Sequence, residues 1–254
     1  MNEFIVNWDE EKIPSFDGLS CYVLPGAFHG TVVMMMAEAK FSKAFSIEDA
    51  DIVVFTGGSD VSPSLYSQKA LDTTESNLER DNYELTVFED CVKRKKPMFG
   101  ICRGAQFLHV ANGGKLWQHV NNHANGPHFI LDIDEDMRIM SSSMHHQMIM
   151  NSKETEEKLS ILALTEDQVA TEFKDDHFHI SLSKDRSNTF YEEEIEAGAY
   201  KDTTCFFVQG HPEVGPPQYK SWVMHKLHDF LFDTDFLAPI NLTSSLKKTM
   251  EVLG

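Results

Sequence analysis

The sequence predicts an α/β domain in which a mostly parallel central sheet is flanked by helices. Apolar runs at 50–55, 97–101 and 204–208 are each followed within two residues by a glycine or a cysteine, which is typical of buried strands in a parallel sheet. Between them, 80–95 has apolar residues at helical spacing, and 103–112 lacks helix breakers. Strands that alternate with helices predict helices on both faces of the sheet, in a flavodoxin-like three-layer arrangement.

The remaining segments complete this order along the chain. Segment 20–25 predicts an early strand and 31–39 a helix after it. Segment 116–150 is irregular and rich in histidine, with short strands, and 160–200 alternates only weakly between polar and apolar residues. We expect a single domain over 1–254, with a hairpin insertion at 151–200, a helix at 222–232 and a C-terminal helical extension at 233–254.

Charge and composition argue against several classes of protein. With 22 Lys and Arg against 40 Asp and Glu, the 254-residue chain has a formal charge of −18, which disfavours binding to nucleic acid and to anionic lipid. No apolar run approaches the roughly 18–20 residues of a membrane span, and the acidic N-terminal segment does not resemble a signal peptide. The cysteines lie too far apart for a C-x-x-C pair. We therefore expect a cytoplasmic protein with reduced thiols.

The most informative motif is G-I-C-R-G-A-Q at 100–106. It places Cys102 between a predicted strand and a predicted helix, at the edge of the sheet where open α/β folds bind their ligands. The helix N-terminus favours a thiolate there, and the flanking glycines allow a tight turn. A free cysteine is more often a small buried hydrophobic residue, and we assign that role to Cys21, Cys91 and Cys205. Cys102 is instead the candidate nucleophile.

A nucleophilic thiol needs a base and a group that orients the base. His211 and Glu213 follow the strand at 204–208, and residues two apart in an extended segment point the same way. His211 is therefore the candidate base and Glu213 its orienting partner.

A glycine pair, Gly57 and Gly58, ends the strand at 50–55. Backbone N–H groups at this position could stabilise an oxyanion together with the amide of Arg103. A glycine pair on its own is equally typical of an ordinary turn.

Three motifs together resemble class I glutamine amidotransferase domains, and within them the γ-glutamyl hydrolase branch that includes peptidase C26 and the γ-glutamyl-γ-aminobutyrate hydrolases. The motifs are F-T-G-G-S-D-V-S-P-S-L-Y from residue 55, G-I-C-R-G-A-Q from residue 100 and V-Q-G-H-P-E from residue 208. The resemblance covers 48–150 and 193–230. It departs at Gly210, where hydrolases of the family often have tryptophan.

The resemblance implies a cysteine-dependent hydrolase without a cofactor and gives each matching residue a role. Cys102 would attack the γ-carbonyl of glutamine or of a γ-glutamyl conjugate and form a γ-glutamyl thioester. His211 would act as base and then as acid, with Glu213 orienting it. The positions expected to supply the oxyanion hole or border the substrate are Gly57, Gly58, Arg103, Gln106, His145, His146 and Gln147.

The fate of the released nitrogen stays open at this point. The chain would pass ammonia to a separate synthetase subunit, or it would act alone on the small-molecule γ-glutamyl substrate and release a larger amine. A homodimer is compatible with the apolar stretch at 230–242. Alternatives from other classes are a non-catalytic regulatory or binding domain that keeps the fold, which the intact Cys–His–Glu set disfavours, and a zinc-dependent hydrolase.

The zinc alternative rests on a dense group of histidines, since neutral imidazole is a good zinc ligand. The group contains no H-E-x-x-H motif, and the chemistry implied by the resemblance requires no metal. We therefore expect no metal site and assign pocket-lining and surface positions to these residues, which are His119, His123, His128, His145 and His146.

Overall fold

The computed structural model describes residues 13–182, 193–233 and 236, and it contains the helices and buried strands predicted within these ranges. The helices are α1 (His29–Glu38), α2 (Leu78–Arg94), α3 (Arg103–Ala111) and α4 (Pro217–Phe232), with a 3₁₀ turn at Pro63–Tyr66. The strands are β1 (Ser20–Val23), β2 (Ser42–Lys43), β3 (Ile52–Phe55), β4 (Met98–Ile101), β5 (Lys115–Trp117), β6 (His119–Val120), β7 (His128–Asp132), β8 (Met137–Ser141), β9 (Met148–Met150), β10 (Leu159–Thr165), β11 (Glu172–Lys174), β12 (His179–Ser181), β13 (Ile195–Tyr200) and β14 (Cys205–Val208).

The central sheet has two halves of different topology. Its nine strands follow the order β2-β1-β3-β4-β14-β13-β10-β7-β8. The pairings from β2 to β14 are parallel and those from β14 to β8 are antiparallel. We call β2, β1, β3, β4 and β14 the parallel half, and β13, β10, β7 and β8 the antiparallel half. The prediction of a mostly parallel sheet is therefore only partly right.

The difference follows from how the strands are connected. Parallel neighbours need crossover connections, which α1 and α2 supply on either side of β3. Antiparallel neighbours can be joined by a short turn, as at 133–136 between β7 and β8. In that turn the carboxylate of Asp132 accepts the N–H groups of Asp134 and Glu135, at 3.0 and 3.2 Å. The segment from β5 to β13 contains strands but no described α-helix, so it adds to the sheet without crossovers.

Strand side chains alternate between two apolar layers. Ile52 and Val54 of β3 pack in the layer that contains α1 and α4, which includes Trp222. Val53 and Phe55 of the same strand pack in the layer that contains α2 and α3. All five side chains are fully buried. Helices thus cover both faces of the sheet, which confirms the predicted three-layer α/β fold.

Two smaller sheets, β12-β11-β6 and β5-β9, account for the remaining strands of the described ranges. In the segment where a hairpin insertion is expected, β10 and β13 pair within the central sheet, and β11 and β12 pair beside it. The helical extension expected at 233–254 lies outside the described residues apart from Asp233 and Phe236. Within the described ranges, no helix combines the length and apolarity needed to cross a membrane.

Candidate active site

Cys102 occupies a strained turn between β4 and α3. Its backbone has φ 53° and ψ −112°, an unfavourable conformation for a residue with a side chain, and such conformations cluster at functional sites. A Cβ at Gly100 would lie 2.8 Å from the carbonyl oxygen of Gly104, and one at Gly104 would run into the carbonyl oxygen of Phe55. The two glycines therefore let α3 pack directly on β4 and β3, with the thiol at the carboxyl end of β4.

The thiol of Cys102 is hydrogen-bonded to His211, which follows β14, the neighbour of β4. On the other side of the ring, Nδ1 of His211 lies 2.7 Å from Oε1 of Glu213. Burial alone would lower the pKa of His211, but the hydrogen bonds and charges of Cys102 and Glu213 raise it to about 10. The structure thus brings the three sequence-predicted residues into one thiol–imidazole–carboxylate chain, in which the imidazole is held as a cation.

The other three cysteines are free thiols in a different environment. Burial raises the pKa of Cys21 to about 11, and it raises the pKa of Cys91 and of Cys205 to about 12. A thiol with so high a pKa is almost entirely protonated at neutral pH and is a poor nucleophile.

Ser142 fixes the backbone of His211. Its Oγ accepts the N–H of His211 at 2.6 Å and donates to the carbonyl oxygen of the same residue at 3.1 Å. Sequence analysis missed Ser142, because it lies 69 positions earlier in the chain and has no motif of its own. At Gly210, a Cβ would lie 2.6 Å from the Tyr219 hydroxyl and 2.7 Å from Oγ of Ser141. Neighbouring groups therefore leave no room for a side chain at Gly210, the position where hydrolases of the resembled family often have tryptophan.

The loop after β3 carries Gly57 and Gly58. A Cβ at Gly57 would lie 2.9 Å from Cε1 of His211, so a larger residue would displace the imidazole. Gly58 has φ 146°, which residues with side chains rarely adopt. Arg80 holds the loop by donating to the carbonyl oxygens of Thr56 and Gly57, at 3.0 and 3.1 Å. Because the peptide after Gly57 is trans, the N–H of Gly58 points away from Arg80.

The guanidinium of Arg103 is buried against α2. It forms ion pairs with Asp81 and Glu84, and all three residues are almost fully buried. Glu84 also accepts from Nε of Arg80 at 2.8 Å, so one carboxylate connects the loop after β3 to the start of α3. Arg103 can therefore contribute to the site only through its backbone N–H, which, as the first of the helix, has no intrahelical acceptor.

The H-H-Q segment, His145 to Gln147, lies between α3 and the loop after β3. Nε2 of Gln106 and Nδ1 of His145 both lie close to the carbonyl oxygen of Gln147, at 3.0 and 2.8 Å. Nε2 of His146 lies 3.0 Å from Oδ1 of Asp60, and this hydrogen bond raises the pKa of His146. Of the four residues expected to border the substrate here, His146 alone is not buried.

Phe28 contacts the imidazole of His211, although no sequence motif marks it. The two ring centroids are 5.2 Å apart in an edge-on arrangement. The side chain is 44% exposed, so an apolar surface is available to a ligand beside His211.

The five clustered histidines separate into two groups. The rings of His119 and His146 lie 5.9 Å apart. In the described part of the chain, the grouping of side chains able to hold a metal ion consists of His123, His128 and Glu196, with ligand atoms within 4.8 Å of one another. It contains no member of the Cys102 site.

Part of this chain is similar to a known protein family and to several known proteins. Residues 23–139 match the Peptidase C26 family. Relatives include Protein NtpR of Enterococcus hirae, 35% identical over 96 residues, and the putative glutamine amidotransferase-like protein YvdE homolog of Lactococcus lactis subsp. cremoris, 34% identical over 121 residues. These matches cover 36% and 39% of this chain. The chain spans 38% and 63% of the length of the two relatives.

Solved structures share the fold at low sequence identity. PurLQS from Thermotoga maritima has a TM-score of 0.54 and 13% identity, with 85% of this chain and 99% of that chain covered. A glutamine amidotransferase from the same organism has a TM-score of 0.50 and 14% identity, with 83% of each chain covered. Residues 23–139 are thus similar to the Peptidase C26 family, part of the chain is similar to proteins named putative glutamine amidotransferases, and the chain shares its fold with a solved glutamine amidotransferase.

Proposed function

We propose that the chain hydrolyses a γ-glutamyl amide bond, in glutamine or in a γ-glutamyl conjugate, through a γ-glutamyl thioester on Cys102. The observation that carries the proposal is the hydrogen-bonded chain from the Cys102 thiol through His211 to Glu213, at the N-terminus of α3. A cysteine beside a cationic histidine and a helix N-terminus ionises readily. The family match supports hydrolysis of glutamine-type amides in general.

The first half-reaction transfers the glutamyl group to sulfur. The thiolate of Cys102 attacks the γ-carbonyl carbon, and the carbonyl oxygen takes up the negative charge. The backbone N–H groups of Gly58 and Arg103 stabilise this oxygen. When the tetrahedral intermediate collapses, His211 gives its proton to the leaving nitrogen, so that ammonia or an amine departs and the thioester remains.

The second half-reaction releases glutamate. His211, now neutral, accepts a proton from water as the water oxygen attacks the thioester carbonyl. The C–S bond breaks, sulfur leaves as the thiolate, and the imidazolium is restored. Glu213 stabilises the cation through its contact of 2.7 Å with Nδ1.

The buried charges on α2 position the two oxyanion donors relative to each other. Arg80 holds the loop that contains Gly58, and Arg103 anchors the start of α3. Both guanidinium groups pair with Glu84. A rigid geometry matters because oxyanion donors act best when they need no reorganisation during the reaction.

Two forms of this activity differ in the fate of the nitrogen. A separate synthetase subunit as ammonia acceptor is supported by relatives named carbamoyl phosphate synthase small chain, such as that of Ralstonia nicotianae, 24% identical over 135 residues. Release of a larger amine by the chain alone is supported by the exposed ring of Phe28 beside His211, which offers an apolar surface to a leaving group. In both forms, we place His146 at the border of the glutamyl pocket.

A panel of γ-glutamyl amides tests the proposal. Glutamine and conjugates of apolar and polar amines are incubated with the full chain, and glutamate, ammonia and free amine are measured together. We expect equal amounts of glutamate and nitrogen product, with no product from Cys102→Ala and normal product from the matched control Cys91→Ser. Turnover of conjugates alone would indicate a stand-alone hydrolase. Turnover that persists in Cys102→Ala would contradict the proposal.

A further inference from the structure

Three histidines converge on one carboxylate oxygen away from Cys102, His211 and Glu213, and one of them, His145, is also among the residues expected to border the substrate. Oε1 of Glu196, in β13, lies 3.0 Å from Nε2 of His128, 3.5 Å from Nδ1 of His123 and 3.8 Å from Nε2 of His145. Glu196, His123 and His145 are buried, and the side chain of His128 is only 11% exposed. We call these four residues the histidine cluster.

The hydrogen-bond partners of His145 fix where its proton lies. Nδ1 is 2.8 Å from the carbonyl oxygen of Gln147, which can only accept, so Nδ1 carries the proton. Nε2 of the neutral ring then carries a lone pair and no proton. It has no hydrogen-bond partner among the described residues, and it faces the anionic oxygen of Glu196.

His123 shows the same arrangement. Its Nε2 lies 2.9 Å from Oε2 of Glu194 and donates to that carboxylate, while its Nδ1 faces Oε1 of Glu196 at 3.5 Å. Ser143 lies 3.5 Å from this Nδ1, but its hydroxyl donates to the carbonyl oxygen of His123 rather than to this nitrogen. The ring nitrogens of His123 and His145 thus face the same carboxylate oxygen that His128 contacts. A cation at the centre would be attracted to all of these atoms.

The spacing suits a small divalent ion. Ligand bonds of about 2.0–2.2 Å in a tetrahedral zinc site place neighbouring ligand atoms roughly 3.3–3.6 Å apart. The separations of 3.0, 3.5 and 3.8 Å from Oε1 of Glu196 fall around that range, and the ligand atoms of His123, His128 and Glu196 all lie within 4.8 Å of one another. Three imidazoles and one carboxylate form a nitrogen-rich donor set of the kind that zinc prefers.

The groups behind the ligands are those of a built metal site. A metal-bound histidine normally donates its other N–H to a carboxylate or a backbone carbonyl, which fixes the ring and strengthens the ligand. Glu194 does this for His123, and the carbonyl of Gln147 does it for His145. Glu194 is held in turn by the N–H groups of Val169 and Ala170, at 3.1 and 2.9 Å.

We propose that His123, His128, His145 and Glu196 bind one divalent transition-metal ion, with zinc as the preferred ion. The ligands come from the loop after β6, from β7, from the loop before β9 and from β13, so the ion joins two strands of the antiparallel half to two loops. Its role is structural, because the ligand set is separate from Cys102, His211 and Glu213. The proposal departs from the expectation from sequence that the histidines form no metal site. The proposal does not depend on the proposed hydrolase function.

Zinc binding to the untagged full chain tests the proposal. Protein freed of metal by a chelator is incubated with zinc, separated by gel filtration and analysed by mass spectrometry for elements. Because a thiolate–imidazole pair can also bind zinc, the measurement is made on wild type and on Cys102→Ala. We expect about one equivalent of zinc in both and a higher melting temperature with zinc than without it.

Variants locate the ion. His145→Asn and Glu196→Gln are expected to lose stoichiometric zinc, and Glu194→Gln to bind it about 10–100-fold more weakly. His119→Asn is the matched control from the same histidine-rich segment and is expected to bind zinc as wild type does. If wild type binds no zinc and its melting temperature does not change with zinc, the proposal is overturned. Unchanged stoichiometry and affinity in His145→Asn would overturn it as well. The wild-type measurement decides the question even if a variant does not fold.

Discussion

The two halves of the central sheet assemble their polar residues in different ways. In the parallel half, Cys102 and His211 follow the adjacent strands β4 and β14 within a few residues of each strand end. The histidine cluster draws its members from two strands of the antiparallel half and from two loops, and Glu196 lies 68 positions from His128. The first site is local to two strand ends, whereas the second exists only when distant segments are folded together.

This difference indicates in which half of the sheet a sequence motif can predict a site. Carboxyl ends of neighbouring parallel strands always meet at one edge of the sheet, so a motif after each strand predicts a shared site. An antiparallel strand offers no such common edge, and a histidine there is equally compatible with a surface position. The two sites should accordingly respond to different substitutions.

The largest expected effect separates the two sites completely. Cys102→Ala removes the nucleophile and should lower kcat for γ-glutamyl amide hydrolysis by roughly 10⁴-fold or more. Its zinc content and melting temperature should remain close to those of wild type, because the thiol makes no contact with the histidine cluster. Product analysis and elemental analysis of one preparation measure both quantities. A parallel loss of metal would show that the two sites are coupled.

Two histidine substitutions of the same kind sharpen the contrast. His211→Asn should lower kcat by about 10²–10⁴-fold, because the thiol loses its proton acceptor. His123→Asn should instead lower thermal stability in the presence of zinc, because His123 belongs to the histidine cluster and not to the residues expected to border the substrate. Steady-state kinetics and thermal melts of the two variants are compared. Equal losses of kcat in both would mean that the cluster takes part in the reaction.

Arg103→Met tests the buried charges that join the loop after β3 to α3. Removing the guanidinium leaves Asp81 and part of Glu84 buried without a counter-charge, which should destabilise the fold by about 3–5 kcal/mol. The control is Arg94→Met, whose exposed pair with Asp90 should contribute little. Chemical denaturation gives the free energy of unfolding for both. A small loss in Arg103→Met would show that α3 is anchored by its apolar face alone.

Much of the fold could be predicted from the sequence, because the strands of the parallel half are continuous apolar runs with clear ends. The apolar run at 50–55 and the run at 97–101 both became strands of that half. The sequence predicts the antiparallel half only as short strands and a hairpin insertion, because β10 and β13 alternate weakly and pair across a long segment of chain. Their mutual register depends on contacts that no local pattern records.

The candidate site shows the same division. Cys102, His211 and Glu213 are readable because each follows a recognisable strand. Ser142 and Phe28, which contact His211 from other parts of the chain, have no local signal. A partner of this kind can be identified only when the tertiary structure brings it next to His211.

A smaller effect concerns the proton on His211. Its pKa of about 10 lies above the ordinary value of 6.5, so the stability that the cation contributes is fully present below about pH 6.5 and is lost as the pH rises through about 10. Cys102→Ser and Glu213→Gln each remove one of the groups that raise this pKa. We expect both to lower it, and Glu213→Gln to lower kcat less than His211→Asn does. Titration of the imidazole by NMR measures the shift, and an unchanged pKa in both variants would show that another group holds the proton.

The most direct test of the central claim is selective labelling of the thiols in the native protein at neutral pH by a glutamine analogue that carries a diazoketone. Cys102 should be labelled, and the buried, protonated Cys21, Cys91 and Cys205 should stay unlabelled. Labelling should slow strongly in His211→Asn, as measured by mass spectrometry of peptides. An unlabelled Cys102, under conditions that label a working glutamine amidotransferase, would contradict the account, and so would equal labelling rates in wild type and His211→Asn.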